Sequence, residues 1–297
     1  MTTRRRFLTI LAGAAVLPAL GQAATARWHG IALGANAQII LEHPNADTLL
    51  AQALAEINRL EGLFSLHQAS QLTTLNRDGR LESPAAELLE LLSLCSSLHA
   101  RTAGAFDPTI QPLWALYAES YAAGNTPTDA EISATLAQTG WQHVRFSPGL
   151  VALTKPNMQL TFNGVAQGFI ADKVAALLRA NGVENVLVDT GEIVAAGLAP
   201  GGAAWPVRLA GSGGQTLPIS NAAIATSALL GTTFDTGGSV GHILDPRTGR
   251  PGGLWPQIRV VASSAAEADG LSTAFCLMDK ASIAAARNPS VYDVMFS

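Results

Sequence analysis

Apolar residues recur at helical spacing along residues 47–64, where Leu50, Ala53, Leu54, Ile57, Leu60 and Phe64 share one face, and the pattern predicts an amphipathic helix. Residues 31–41, just before it, alternate in strand-like fashion. Ser83-Pro84 reads as the next helix start, with serine as cap and proline at the first helical position. The apolar face of that helix is Leu88, Leu91, Leu92, Cys95 and Leu98. Thr128-Asp129-Ala130-Glu131 has the form of a capping box and predicts a short helix to about residue 139. Residues 144–162 predict two or three strands, one turn being set by Pro148-Gly149. A helix over residues 167–181 stops at Gly182. Val186-Leu187-Val188 reads as a buried strand ending in Asp189-Thr190-Gly191. Residues 197–220 are rich in glycine and proline, with short strands near 205–209, and residues 265–278 predict the last clear helix. No fixed-period repeat or long linker interrupts the chain. Strands and helices do not alternate strictly, so the expected class is α+β, with mixed sheets and packed helices, rather than a doubly wound parallel sheet.

The N-terminus departs from this pattern. Three arginines, Arg4, Arg5 and Arg6, precede Phe7-Leu8 and an alanine-rich apolar stretch to Leu20, and Ala24-Thr25-Ala26 follows as a small-x-small cleavage site. This predicts a signal peptide over residues 1–26 of the twin-arginine class, and a mature domain over residues 27–297 in the periplasm. No apolar run after it is long enough to span a bilayer, so no stable membrane span is expected once the leader is removed. The 297 residues are 48% hydrophobic and 13% charged, which supports a sizeable core and argues against disorder. The net charge is −4, and removing the leader arginines makes the chain more acidic still, so no nucleic-acid partner is expected. Cys95 and Cys276 are too few for a disulfide framework. Both lie in apolar helical patterns and read as buried thiols, although a periplasmic disulfide is allowed.

Four stretches carry candidate chemistry. Gly104-Ala105-Phe106-Asp107-Pro108-Thr109 follows the leucine-rich helix, and an aspartate before proline is held extended. Asn163-Gly164-Val165-Ala166-Gln167-Gly168 joins a strand to a helix; glycines there admit close backbone approach, and the helix start favours phosphate. The glycine spacing is not that of a dinucleotide fingerprint. Gly241-His242-Ile243-Leu244-Asp245-Pro246-Arg247-Thr248-Gly249 sets a histidine, an acid and an arginine between glycines, which suits a hairpin and proton transfer near neutral pH alike. In Asp269-Gly270-Leu271-Ser272-Thr273, Asp269 and Thr273 share one helix face and offer hard oxygen ligands suited to Mg²⁺.

Taken together and in order, these stretches resemble the ApbE family of FAD:protein FMN transferases over nearly the whole mature chain. The family's Gly-Ala-Phe-Asp-Pro-Thr motif matches Gly104 to Thr109 fully, its His-Ile-x-Asp-Pro-x-Thr-Gly motif matches His242 to Gly249, and its Ala-Asp-x-x-x-Thr-Ala element matches Ala268 to Ala274. Phe64-Ser65, Ser70 with Leu75-Asn76, and Ala225-Thr226-Ser227 fit further elements, and His29-Gly30-Ile31 stands where the family has Met-Gly-Thr. The resemblance implies an ApbE-like, T-fold-related architecture. It implies FAD as substrate, Mg²⁺ as cofactor, transfer of the FMN half to a threonine hydroxyl of an acceptor flavoprotein, and release of AMP. Asp269 and Thr273, the Ala166 carbonyl and an assisting Ser272 are the implied cation ligands. Flavin and nucleotide contacts carry over to Ala105, Phe106, Asp107, Asn163, Gln167, Phe169, His242 and Leu244, with Phe106 and Phe169 packing on flat rings. His242 is the expected base and Asp269 the other catalytic residue.

The chain departs from the family's pattern at several points. The common lysine of the glycine turn is Gln167, the acid often found before that turn is Thr161, and the double glycine is Asn163-Gly164. Residues 189–192 also differ from the usual Gly-Gly-Asp-like pattern. With the twin-arginine leader, these features resemble the subgroup linked to nitrous-oxide respiration. The acceptor there is a membrane flavoprotein with a periplasmic flavinylation threonine, so the inner-membrane surface is a further expected location. Two other readings stay open at this stage: a periplasmic FAD pyrophosphatase using water as nucleophile, and a non-enzymatic FAD-binding accessory protein.

Overall fold

The structure, a computed structural model, describes residues 25–32, 34–209 and 214–297. In chain order the elements are strands β1 (Thr25–Ala32) and β2 (Ala35–Glu42), helices α1 (Ala46–Phe64) and α2 (Gln71–Asp78), and strand β3 (Arg80–Glu82). Helices α3 (Ala86–Arg101), α4 (Gln111–Ala122) and α5 (Asp129–Leu136), strands β4 (Val144–Ser147) and β5 (Leu150–Leu153), and helix α6 (Ala166–Ala180) follow. The second half holds β6 (Val186–Asp189), β7 (Ile193–Ala196), β8 (Trp205–Arg208), β9 (Thr216–Ile219), β10 (Ala222–Ala228), β11 (Leu244–Asp245), β12 (Arg250–Pro251) and β13 (Gln257–Ala262). It closes with α7 (Ala265–Phe275), α8 (Lys280–Ala286) and β14 (Val291–Phe296).

Seven strands form the main sheet in the order β1-β2-β6-β7-β10-β13-β14, and every neighbouring pair is antiparallel. Strand alternation divides its side chains between two faces. Ile39, Leu41, Val186, Val188, Ala223, Ala225, Ile258 and Val260 join α1, α3, α6 and α7 in one large core. Ile40, Leu187, Ala195, Ile224 and Val261 point the other way and are covered by Trp205, Val207 and Ile219 of the β8–β9 hairpin. A third cluster joins Leu113 and Tyr117 of α4 to Ile132 of α5 and Leu244 of β11. Burying each leucine of these cores contributes roughly 1.5–3 kcal/mol.

Helices α6 and α7 hold each other at close quarters. Gly168 lies on the crossing, where a Cβ would stand 2.2 Å from the Ala265 carbonyl oxygen. Asp172 of α6 caps the start of α7: its carboxylate accepts hydrogen bonds from the Ser264 hydroxyl at 2.7 Å and from the Ala265 and Ala266 N–H groups at 2.9 Å. The crossing therefore fixes where the polar residues of α7 stand relative to the start of α6.

Several elements differ from expectation. Residues 31–41 are not one strand but parts of the β1–β2 hairpin, whose turn includes Gly34 at φ +78°. Ser83 is not a cap; it sits at φ +50°, and α3 starts at Ala86 with no side-chain cap on Ala85. Helix α7 ends at Phe275 rather than near residue 278. Residues 280–296, beyond the last helix expected from the sequence, form α8 and β14, the latter pairing with β13 at the sheet edge. The capping box at Thr128 and Glu131 is formed, and Cys95 and Cys276 are buried free thiols. Most of the expected leader lies outside the described residues; Thr25 and Ala26 begin β1, opposite Glu42 and Leu41.

Candidate functional site

A cleft of about 640 Å³ opens where several connections meet: the turn after α3, the segment leading into α6, the turn after β6, the end of β10, the approach to β11, and the middle of α7. Its polar floor belongs to α7. Ser264 caps that helix by accepting the Glu267 N–H, and Asp269 and Thr273 then fall one turn apart on the face toward the cleft. Asp269 is 3% exposed. Its Oδ2 accepts the Gly168 N–H at 3.2 Å. Burial pushes its carboxyl up to about 7; the Gly168 N–H pulls the other way, and the nearby Asp172 charge adds to the rise.

A second acid comes from the turn after β6. Glu192 is 8% exposed and accepts the Thr226 N–H at 3.1 Å. Burial, then the Asp269 charge, raises its carboxyl well above the usual range. Two hydroxyls complete the floor, Ser227 Oγ lying 3.2 Å from Thr273 Oγ1, with Ser272 Oγ behind them 2.8 Å from Ser227 Oγ. A Cβ on Gly164 would stand 3.0 Å from Thr273 Oγ1, so the turn before α6 closes over that hydroxyl.

This donor set fits a hard divalent cation. Two buried carboxylates repel each other, no Lys or Arg is among the causes acting on either, and hydroxyl oxygens stand beside them. Among the described residues no three His, Cys, Asp or Glu side chains gather as a metal cluster. The Asp269 carboxylate and the Thr273 hydroxyl are hard oxygen donors of the kind that suits Mg²⁺.

His242 stands on another wall. Its Nδ1 lies 3.0 Å from the Thr232 carbonyl, which only accepts, so the ring donates from Nδ1 and keeps a lone pair on Nε2. Burial lowers its pKa below the ordinary histidine value, which favours this neutral form.

Of the residues singled out from sequence, Ala105, Phe106, Asp107, Asn163, Gln167, His242, Leu244, Asp269 and Thr273 all line the cleft. Asp107 is committed to its own turn. Its carboxylate accepts from Thr109 N and Oγ1 at 2.9 and 2.7 Å and from the Trp141 N–H at 3.2 Å. Gln167 packs across Gly191, where a Cβ would meet its Nε2 at 2.6 Å. Three residues do not line the cleft. Phe169 packs edge-on against the Phe64 ring at 5.5 Å, so its flat partner is a core phenylalanine. Ala166 is buried at the start of α6. Ser272 is fully buried behind Thr273, with its hydroxyl donating to the Asp269 carbonyl at 3.0 Å. Sequence reasoning missed Glu192 and Asp189 as site residues. The available signal was two acids set between the apolar runs 186–188 and 193–196.

Comparison with known proteins follows the same lines. A family model described as the ApbE family matches residues 33–296. A FAD:protein FMN transferase of Vibrio cholerae is 28% identical over 252 residues, covering 80% of this chain and 75% of the relative. One from Chlamydia pneumoniae is 30% identical over 220 residues, covering 71% of this chain and 69% of the relative. The crystal structure of a Pseudomonas stutzeri flavinyl transferase in its apo form superposes with a TM-score of 0.80 at 27% identity, covering 94% of this chain and 92% of that one.

Proposed function

The chain belongs to the ApbE family, and from that premise we propose that it is an FAD:protein FMN transferase working in the cleft described above. The acceptor is a threonine hydroxyl of a flavoprotein, and AMP is the other product. The observation that carries this reading is the pairing of Asp269 and Thr273 on one face of α7, over which the Gly164 turn closes. A Mg²⁺ bound there by Asp269 and Thr273 supplies charge neutralisation to the diphosphate.

The chain's own groups perform the remaining work. His242 Nε2, unprotonated because Nδ1 serves Thr232, accepts the threonine proton. The threonine oxygen forms a bond to the FMN phosphorus, and the bond from that phosphorus to the AMP phosphate oxygen breaks, leaving AMP with the electron pair. Phe106, 5% exposed, forms part of the apolar cleft wall against which a planar heterocycle would pack. Glu192 adds a second carboxyl to the floor; burial and the Asp269 charge favour its neutral form, and a cation beside it would favour the ionised one. Export through the twin-arginine leader would place this chemistry in the periplasm. Among the described residues no helix is long and apolar enough to cross a membrane.

The test combines the purified protein, FAD, Mg²⁺ and an acceptor domain, and reads flavin fluorescence on the acceptor after denaturing electrophoresis. Fluorescence that stays on the acceptor supports transfer. Free FMN and AMP with an unlabelled acceptor make water the nucleophile and the protein a pyrophosphatase. FAD recovered intact overturns both.

A further inference from the structure

The cleft carries much negative and little positive charge. Asp107, Asp189, Glu192 and Asp269 reach its wall, whereas Arg208 is the single Lys or Arg among its described lining residues. Arg208 is the last residue of β8, paired with Thr216 across the hairpin. Its neighbours Trp205 and Val207 anchor the strand in the second core at 2% and 4% exposure, while Arg208 itself is exposed at the rim. Several surface arginines away from the cleft are tied to carboxylates, such as Arg59 to Glu87 at 2.6 Å and Arg250 to Asp129 at 2.7 Å, whereas Arg27 and Arg179, which do not line the cleft, are not so tied among the described residues. The Arg208 guanidinium has no hydrogen-bond or ion-pair partner among the described residues.

A dinucleotide brings a diphosphate, and so two more negative charges, into this surrounding. At the start of α6 the Ala166 N–H is taken by the Phe162 carbonyl and the Gly168 N–H by Asp269, and Gln167 adds no charge, its amide being turned onto Gly191. A cation at Asp269 is already partly offset by that carboxylate and by Glu192. The remaining compensation has to come from a side chain that reaches the cleft, is positively charged and has no competing partner. A guanidinium also matches phosphate oxygens with two parallel N–H donors, which an ammonium does not.

We propose that Arg208 is the phosphate-gripping cation of the cleft, pairing with the diphosphate of the bound dinucleotide and supplying from β8 the charge that Gln167 lacks. This rests on the reading that the ligand is FAD. The hairpin thereby acquires a role beyond covering the sheet: it carries the one positive group that closes on the ligand from the side opposite α7.

The experiment measures binding of FAD, ADP and riboflavin, in the presence of Mg²⁺, to wild-type protein, Arg208→Gln and Arg208→Lys. Because Arg208 is exposed and unpaired, both variants are expected to fold. In Arg208→Gln the affinities for FAD and ADP fall on the order of tenfold or more, as for loss of a charge-assisted hydrogen bond, while riboflavin, which lacks phosphate, binds as before. FAD binding to that variant also loses part of its salt dependence. Arg208→Lys binds FAD more tightly than Arg208→Gln. Unchanged FAD and ADP affinity in Arg208→Gln, or an equal loss for riboflavin, overturns the assignment and leaves the functional reading standing. Wild-type protein that binds neither FAD nor ADP overturns both.

Discussion

Replacing Gly168 by alanine probes the crossing on which the cleft floor depends. The added methyl would meet Ala265 O at 2.2 Å, Ala265 C at 2.5 Å and Ala266 N at 2.7 Å. All three are backbone atoms, so no side-chain rotation relieves the contact. Ordinary non-bonded separation is about 3.5 Å, so α6 and α7 must part by about 1 Å or more. Overpacking of this kind costs about 1–3 kcal/mol, offset by about 1 kcal/mol of improved helix propensity. At roughly 2–4 °C per kcal/mol for a chain of this size, the melting temperature should fall by only a few degrees. The functional loss should be far larger. The Gly168 N–H to Asp269 bond opens, and Asp269 and Thr273 move relative to the Gly164 turn; a misplacement of about 1 Å costs on the order of 100-fold in rate. Flavin transfer to the acceptor, followed by gel fluorescence over time beside a thermal melt, reads both quantities. Transfer at the wild-type rate with an unchanged melting temperature would refute the argument that this crossing sets the site.

Three further outcomes are expected. Asp172→Asn places an amide donor against the Ala265 and Ala266 N–H groups, so it should cost about 1–2 kcal/mol in a thermal melt and raise the Mg²⁺ concentration needed for half-maximal transfer. Asp269→Asn should abolish transfer yet melt at a higher temperature than wild type in EDTA at pH 8, because a neutral amide ends the repulsion with Glu192 in a buried floor; a lower melting temperature there counts against that repulsion. His242 is neutral above its lowered pKa and protonated below it, so at saturating Mg²⁺, which competes with the proton for Asp269, wild-type transfer should be flat above the ordinary histidine pKa of about 6.5 and fall only at lower pH. His242→Ala should lose roughly 100-fold in rate, keep its FAD affinity, and show no acid limb of this origin in its pH–rate profile.

How much of this was legible in the sequence depended on range. Helix faces such as Leu88, Leu91, Leu92, Cys95 and Leu98 declare themselves through spacing, and all five are fully buried. The Thr128–Glu131 box is local chemistry and formed as written. Ser83-Pro84 carries the same kind of signal but misleads, because Ser83 turns into the left-handed region and the helix waits until Ala86. Strand β14 was unreadable because its place comes from pairing with β13, a partner about 30 residues away that no local pattern names. In the site, Asp269 and Thr273 were visible as an i, i+4 pair. Glu192 was not, because its meaning arises only where the turn after β6 meets α7 in space. Phe169 illustrates the opposite error: an aromatic residue in a motif, taken for a ligand contact, belongs to the helix's core face beside Phe64.

The cleft has no sequence-contiguous owner: it draws on residues from Ala105 to Thr273. A nascent chain therefore remains blind to its ligand until α7 has docked, and a fragment ending before that helix would carry most of the sheet with no working floor. A ligand that binds only the assembled cleft should protect the entire chain against unfolding and proteolysis rather than one loop.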